Sequence, residues 1–151
     1  TNRKGGIYAI SFNEDDELIN VMVTTGSSEI FVATNKGKSI RFDENDVRAM
    51  GRLAHGVRAI NLSEDDYVVG VLGMRENNHI GYFYVKATHH KRGIGKALFN
   101  AMLCDHKGDI TVNACPYGVP VYTRLGFVPT DTQKNENGII FTPMKLTRRK
   151  K

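Results

Sequence analysis

No apolar run in the 151 residues approaches the ~20 needed to cross a bilayer. The N-terminal TNRKGG has no apolar signal-peptide core. Two cysteines, Cys104 and Cys115, make no disulfide framework, so a reducing cytoplasm is the expected compartment. Neither the GxGxxG of a dinucleotide fold nor the GKS/T ending of a P-loop occurs. The pair His89-His90 lacks a third ligand at metal spacing, so no metal site is expected. Thr rather than Met opens the chain, as in a fragment or a processed product. What remains, 40% apolar and 25% charged residues, describes a globular protein of one ordinary domain or two small ones. The net charge of +5 is unevenly spread. Residues 1–66 hold eight Lys/Arg against eleven Asp/Glu, whereas 67–151 hold thirteen against five. Four of those thirteen form the end of the chain, Arg148, Arg149, Lys150 and Lys151. Two segments of different character are implied.

The first segment contains a repeat. Gly6–Val21, GIYAISFNEDDELINV, aligns without a gap on Gly56–Val71, GVRAINLSEDDYVVGV, at an offset of 50 residues. That period suits a propeller blade or a similar β-repeat. Short strands are expected at Leu18–Thr24, Glu29–Thr34 and Ser39–Phe42, with turns at Thr25–Ser28 and Asn35–Lys38. The carboxylates of each Glu-Asp-Asp are expected in a solvated turn that launches a strand.

The elements KGKSIRF, DVRAMGR and HGVRAI carry a further likeness. Residues 1–71 resemble a blade of the C-terminal domain found in the A subunit of bacterial DNA gyrase. In that family several blades close into a β-pinwheel whose basic rim wraps DNA. The resemblance implies a bacterial source and puts Lys36, Lys38, Arg41, Arg48, Arg52 and Arg58 near a phosphate-facing surface. Because this half carries a net charge of −3, any DNA affinity is expected to be weak, salt-sensitive and mostly due to Arg148–Lys151.

From Val68 the pattern changes. Val68–Arg75, the turn Glu76-Asn77-Asn78, and His79–Val85 read as strand, turn, strand. In HHKRGIGKALFNAMLC, Ile94, Ala97, Leu98, Ala101 and Met102 fall at helical spacing. Gly93 and Gly95 therefore lie where a strand gives way to a helix. Glycines there let backbone N–H groups approach an anion that the helix dipole favours. His89, His90, Lys91, Arg92 and Lys96 add positive charge or donors, which suits a pyrophosphate. Further on, Asp109–Ala114 reads as a strand and Pro116–Leu125 as a short helix stopped by Gly126. Phe127–Pro129 begins another strand, and Asn137-Gly138 turns into a last one, Ile139–Leu146.

HKRGIG after the strand YFYV, and NACPYGVPVYTRLGFVPT, carry a second resemblance. Residues 68–147 look like the C-terminal half of a GNAT-superfamily N-acetyltransferase. The likeness implies acetyl-CoA as cosubstrate, lying in a V between two splayed parallel strands. It implies that the Val85 backbone pairs with the pantetheine arm. The turn of His90, Lys91, Arg92, Gly93, Ile94, Gly95 and Lys96 would hold the pyrophosphate, and Asn113 would line the pantetheine channel. Tyr122 would be the general acid for the departing thiolate, a phenol being able to donate from its ordinary pKa of about 10. His90 stands where the family has Gln or Arg. Cys115 stands where it usually has Ser, and is read as a buried, inert thiol.

The expectation is an α+β chain in which a β-rich, gyrase-blade-like segment (1–71) joins a GNAT-like β-β-α-β-α-β-β half-domain (68–147) and a basic tail (148–151). Both segments claim VVGV, Val68–Val71. One mixed sheet should run through the junction, with Leu18–Thr24 or Glu29–Thr34 near Val68–Arg75. Helix Ile94–Asp105 should pack by Ile94, Leu98, Ala101 and Met102 onto Ile80–Val85 and Ile110–Ala114. The function implied is acetyl transfer to a small-molecule or protein amine. The alternatives are a DNA-binding blade or an inactive composite. No membrane contact is expected, and exposed strand edges would favour oligomers. Glu76 and His79 are the nearest candidates for a general base, although a hairpin turn explains both.

Overall fold

The computed structural model describes residue 5, residues 7–76 and residues 78–148, and the side chain of Asp105 is not described. Gly6 of the repeat, Asn77 of the hairpin turn and Arg149–Lys151 of the basic tail lie outside the described residues. The elements are β1 (Glu29–Thr34), β2 (Ser39–Asp43), β3 (Val68–Arg75), β4 (His79–Val85), α1 (Ile94–Asp105), β5 (Ile110–Ala114), α2 (Val119–Arg124), β6 (Val128–Pro129), β7 (Lys134–Glu136) and β8 (Ile139–Leu146). All eight strands form a single mixed sheet, in the order β2-β1-β3-β4-β5-β8-β6, with β7 paired to β8. No helix among the described residues is long and apolar enough to cross a membrane.

VVGV belongs to both halves. β3 pairs antiparallel with β1 on one side, Phe31 opposite Leu72, and with β4 on the other, Leu72 opposite Phe83. The expected pairing of Glu29–Thr34 with Val68–Arg75 is present. The expected strand over 18–24 is not: that segment runs as a loop across one face of the sheet. Met22 lies against Gly73, Glu17 pairs with Lys86 at 3.2 Å, and Asn20 hydrogen-bonds Tyr82.

The repeat survives in its turns. Asp15 and Asp65, equivalent at the 50-residue offset, both hold positive φ (74° and 59°). In both turns the next N–H closes back, Asp16 onto the carbonyl of Asn13 and Asp66 onto that of Ser63. After the turn the copies diverge. Asp16 stays exposed and bonds Asn13, whereas the Asp66 side chain is fully buried with Lys38 Nζ at 3.2 Å. Asp66 thus departs from the expected solvated turn. Burial raises its pKa, but Thr34, Lys38 and Lys36 together lower it further, so the carboxyl stays below its ordinary value.

The opposite face carries the core, with Phe31, Leu72, Met74, Ile80, Ile110, Val112 and Met144 contributed by strands and Leu98, Phe99 and Met102 by α1. The alternation of β3 sends Gly70, Leu72 and Met74 to this face. A Cβ on Gly70 would stand 2.9 Å from Leu98 Cδ1 and 3.3 Å from Ile94 Cγ2. The first copy of the repeat has Asn20 at that position. The glycine is where α1 needs to come close. α1 therefore packs chiefly on β3, β1 and the expected β4, and shares the core cluster with the residues of β5. Phe99, absent from the expected stripe, is buried against Phe127, ring centroids 5.8 Å apart.

Two smaller differences concern the C-terminal strands and helix. α2 is shorter than 116–125, because residues 116–118 form a turn closed by Gly118 N–H and Val119 N–H onto the carbonyl of Cys115. β7 has no counterpart among the expected strands. KNE has no apolar alternation, and its pairing with β8 is imposed by the turn at Asn137 (φ 53°) and Gly138 (φ 84°).

Candidate active site

The site begins where two parallel strands part. β4 and β5 pair only at His79–Thr111 and Ile80–Val112. Between β3 and β4 the register runs Gly73–Tyr82 and then Met74–Ile80, so Gly81 is an extra, bulged residue. A bulge bends its strand and sharpens the local twist. Here it falls at the last rung before β4 leaves β5. Beyond it, residues 81–85 of β4 and residues 113–114 of β5 make no pairing with one another. Lys86 N–H donates to Val69 O at 2.7 Å, so alternation turns the N–H and carbonyl of Val85 away from β3, into the cleft.

At the open end of the cleft the chain turns into α1. Lys91 (φ 62°) and Gly93 (φ 83°) are both left-handed. Gly93 is the N-cap and offers no side-chain cap, which leaves the first-turn N–H groups without an intrahelical partner. A Cβ on Gly93 would meet nothing within 4 Å, so the turn's outer surface is open. A Cβ on Gly95 would make ordinary contact with Phe83 and Val85, at 3.5 and 3.7 Å. Gly93 is thus required by its dihedral, whereas alanine fits at 95. Lys91, Arg92 and Lys96 are exposed around this turn and make no ion pair among the described residues.

The two histidines do not join them. His89 is buried, with Tyr67 Oη 3.2 Å from Nε2 and Thr88 Oγ1 2.9 Å from Nδ1. Its role is to tie the turn to the start of β3. His90 folds back so that Nε2 donates to Val85 O at 2.8 Å. It therefore stiffens the cleft wall instead of pointing at the turn, and leaves the Val85 N–H as the open backbone group.

Tyr122 is set by the end of α2. Leu125 closes the helix and Gly126 (φ 95°) follows it. Gly126 N–H bonds Thr123 O and Phe127 N–H bonds Tyr122 O, both at 3.0 Å, the paired bonds of a Schellman cap. This is the physical content of Leu-Gly-Phe in the sequence. The cap brings Phe127 edge-on to the Tyr122 ring, centroids 5.3 Å apart, while Phe83 of β4 lies 6.2 Å away. Tyr122 thereby stands on the core side of the cleft, level with Phe83. Burial, with a smaller contribution from Cys115, raises its pKa well above the ordinary phenol value, so it stays protonated but is a weaker acid than its ordinary pKa would make it.

Asn113 is exposed on β5, one step past the last paired rung and on the face opposite the core. Cys115 is exposed, not buried as expected. Arg148 is no free tail cation either. Its N–H bonds Asp109 Oδ1 at 3.0 Å, and its guanidinium donates to the carbonyls of Leu103, at 2.9 Å, and His106, at the end of α1. Of the cations expected on a phosphate-facing surface of the first half, Lys36 donates to Glu64 O, Lys38 pairs with Asp66 and Arg41 pairs with Glu29. Arg48, Arg52 and Arg58 are exposed.

A family model described as an acetyltransferase (GNAT) domain matches residues 41–148. The chain belongs to that family. A model described as the DNA gyrase C-terminal domain, beta-propeller, matches residues 1–25, and the chain joins the two likenesses. Curated relatives include the A subunit of DNA gyrase from Ureaplasma parvum serovar 3, 45% identical over 94 residues, 62% of this chain and 10% of that protein. The corresponding gyrase protein of Metamycoplasma arthritidis is 40% identical over 124 residues, 80% of this chain and 13% of that protein. The chain thus spans about a tenth of the length of the curated relatives it matches. Among solved structures, a GCN5-related N-acetyltransferase from Rhodopseudomonas palustris is similar at TM-score 0.48 and 21% identity, covering 54% of this chain and 56% of that one. An N-acetyltransferase from Thermoplasma acidophilum, in complex with coenzyme A, is similar at TM-score 0.46 and 16% identity, covering 58% and 57%.

Proposed function

We propose that the cleft between β4 and β5 binds acetyl-CoA and that the chain transfers the acetyl group to an amine. The observation that carries this reading is the grouping of three features along β4. An uncapped helix N-terminus ringed by Lys91, Arg92 and Lys96 lies at the mouth. The unpaired edge of β4 follows, and Tyr122 stands beside Phe83 farther in. A pyrophosphate at the turn is held by N–H groups and dipole. A pantetheine arm then continues the sheet by pairing with Val85 N–H, with Asn113 across the gap. At the inner end the thioester carbonyl meets backbone donors near Gly81, which stabilise its oxyanion. Tyr122 hydrogen-bonds the departing sulfur. Because burial weakens it as an acid, it steadies the thiolate by that hydrogen bond and keeps its own proton.

Binding of the native state alone raises its melting temperature, so the test is a melt with acetyl-CoA and with NAD. A rise with the first and not the second is expected. Folded protein unmoved by millimolar acetyl-CoA refutes the reading.

A second reading, DNA contact through residues 1–66, draws on the gyrase likeness. A shallow groove between β2 and residues 58–61, lined by Lys38 and Arg58 among others, lies toward the β2 edge, away from the acetyl-CoA cleft. Lys36, Lys38 and Arg41 already serve internal partners, which leaves the exposed Arg48, Arg52 and Arg58 to meet phosphates.

A further inference from the structure

At the closed end of the cleft, three polar groups gather on the face opposite Tyr122. Arg75 ends β3 and sits directly across from His79, the first residue of β4. The Arg75 side chain lies over the bulged Gly81, so that a methyl built there would stand 2.5 Å from its Nε. Arg75 is half-buried and makes no ion pair among the described residues. His79 is held by its ring: Nδ1 lies 2.9 Å from Thr111 Oγ1, which donates to Asn78 O at 3.4 Å. In the tautomer in which Thr111 donates to that carbonyl and accepts from Nδ1–H, the Nε2 lone pair of His79 is free.

We propose that this end of the cleft is the acceptor pole, where Arg75 receives a carboxylate of the acceptor and His79 Nε2 takes the proton of its amine, so that the acceptor is an amino acid or another compact amino-carboxylate. The inference rests on the acetyl-CoA reading above. Residues directly opposite in an antiparallel pair hold their Cβ atoms only about 5 Å apart. With the Arg75 side chain lying along β4 over Gly81, both groups border one small region that suits a compact acceptor. A purely cationic amine would meet Arg75 as a like charge. In the step itself the amine nitrogen bonds the thioester carbon and the C–S bond breaks, its electron pair leaving with sulfur. The amine proton passes to His79, directly or through one water, and the thiolate leaves hydrogen-bonded by Tyr122 and takes its proton from solvent.

The charged surroundings agree. Burial and then Arg75 lower the His79 pKa, against a smaller upward pull from Glu76, so the ring is a neutral base at pH 7. On β8, Lys145 stands opposite Thr111 but is held by Asp109 at 2.6 Å. On the covering segment, Glu17 is held by Lys86.

The test uses the whole chain, acetyl-CoA, and free amino acids each against its own carboxamide, with spermidine as a carboxylate-free amine, following released CoA thiol. Free acids should exceed their amides in kcat/KM by about 10- to 100-fold, the range of a hydrogen bond to a charged group. Arg75→Met should erase that ratio by its effect on the acids alone. His79→Gln should lower kcat by roughly 10²- to 10⁴-fold and remove the fall in rate below the depressed His79 pKa, leaving the acetyl-CoA melting shift intact. Amides or spermidine used as well as the acids would overturn the inference. So would a wild-type chain that binds acetyl-CoA yet acetylates nothing in the panel, and the cofactor reading would survive both results. No melting shift with acetyl-CoA would overturn both together.

Discussion

Gly93 separates a structural glycine from a ligand-binding one, because two substitutions there pull stability and binding in opposite orders. Its φ of 83° is left-handed, and the space outside it is empty within 4 Å. Gly93→Ala therefore meets no neighbour and incurs only the backbone cost of that region, about 1–2 kcal/mol. Gly93→Asp incurs less, since Asp tolerates left-handed φ better than Ala. At the N-terminus of α1 its charge is also favourable by about 0.3–1 kcal/mol. Without ligand, the melting order should be Gly, then Asp, then Ala. With acetyl-CoA the order of response inverts. A carboxylate about 4 Å from a phosphate charge is repelled by about 1 kcal/mol in water and about 4 at an effective dielectric of 20, a weakening of roughly 5- to 700-fold. At a ligand concentration of about 100 times Kd, the wild-type shift corresponds to about 2.7 kcal/mol, or roughly 5–10 °C for a chain of this length. A hundredfold weaker Gly93→Asp would keep about 1 °C of it, while Gly93→Ala should keep most. Differential scanning fluorimetry with and without acetyl-CoA reads both orders at once. If Asp retains a shift as large as Ala, no phosphate lies at this turn and the cofactor geometry is wrong.

Other expected outcomes follow from the same structure. Gly70→Ala should destabilise the chain by about 1–3 kcal/mol, because its methyl meets Leu98 at 2.9 Å; an unchanged denaturation midpoint would contradict the close approach of α1. Asp109 is held below the ordinary carboxyl pKa, first by Lys145 and then by Arg148 N–H. Its stabilisation is complete above the unfolded value of about 3.9 and is lost as pH falls through the lower folded value. Asp109→Asn should therefore melt below wild type at pH 7 and converge with it in strong acid, and a constant gap would refute the pairing. Trypsin should cut first at the exposed Arg48, Arg52 and Arg58 or at Lys91 and Arg92, the latter pair protected by acetyl-CoA, while Arg75 at the end of β3 should resist. Early cleavage at Arg75 into two folded pieces would break the continuous sheet. DNA affinity in a mobility-shift assay should be weak at physiological salt, and tight binding would favour the second reading.

Local signals made the second half legible, and in the first half they placed β1 and β2 but misread the segment before them. Val68–Arg75, His79–Val85 and Ile94–Asp105 are as the periodicity expects. Each has strong alternation or helical spacing and a nearby turn residue. Leu18–Thr24 carries similar alternation yet is not a strand, since a strand exists only where a neighbour supplies hydrogen bonds, and the neighbours of β3 are β1 and β4. Exposed Val21, Val23 and Tyr8 record the lack of such a neighbour among the described residues. At the site, glycine positions and Tyr122 could be read from motifs. The inward turn of His89 and the return of His90 to Val85 could not, because nothing in a run of two histidines says which way each ring points. The splaying of β4 from β5 was implied only by the resemblance. The bulge at Gly81 that accompanies it was hidden, because one extra residue becomes visible only when the partner register is known.

The repeat itself shows how one strand came to satisfy both neighbours. Across the 50-residue offset, Leu18-Ile19-Asn20-Val21 becomes Val68-Val69-Gly70-Val71. The apolar positions are kept, so either sequence offers β1 an edge of the same character. The change from Asn20 to Gly70 is different in kind. An Asn side chain on β3 would stand where Leu98 and Ile94 of α1 now lie, forcing the helix off the sheet. α1 also carries the turn at Gly93, so lifting it would move the proposed pyrophosphate site away from Val85 and the cleft. The residue that fits β3 to the helix is therefore also the one that keeps the two proposed binding surfaces in register. Gly70→Asn, which restores the first copy's residue, should cost more acetyl-CoA response than Gly70→Ala even when both are compared at equal fractions folded. If the two variants respond alike once folded, the position of α1 does not govern the site.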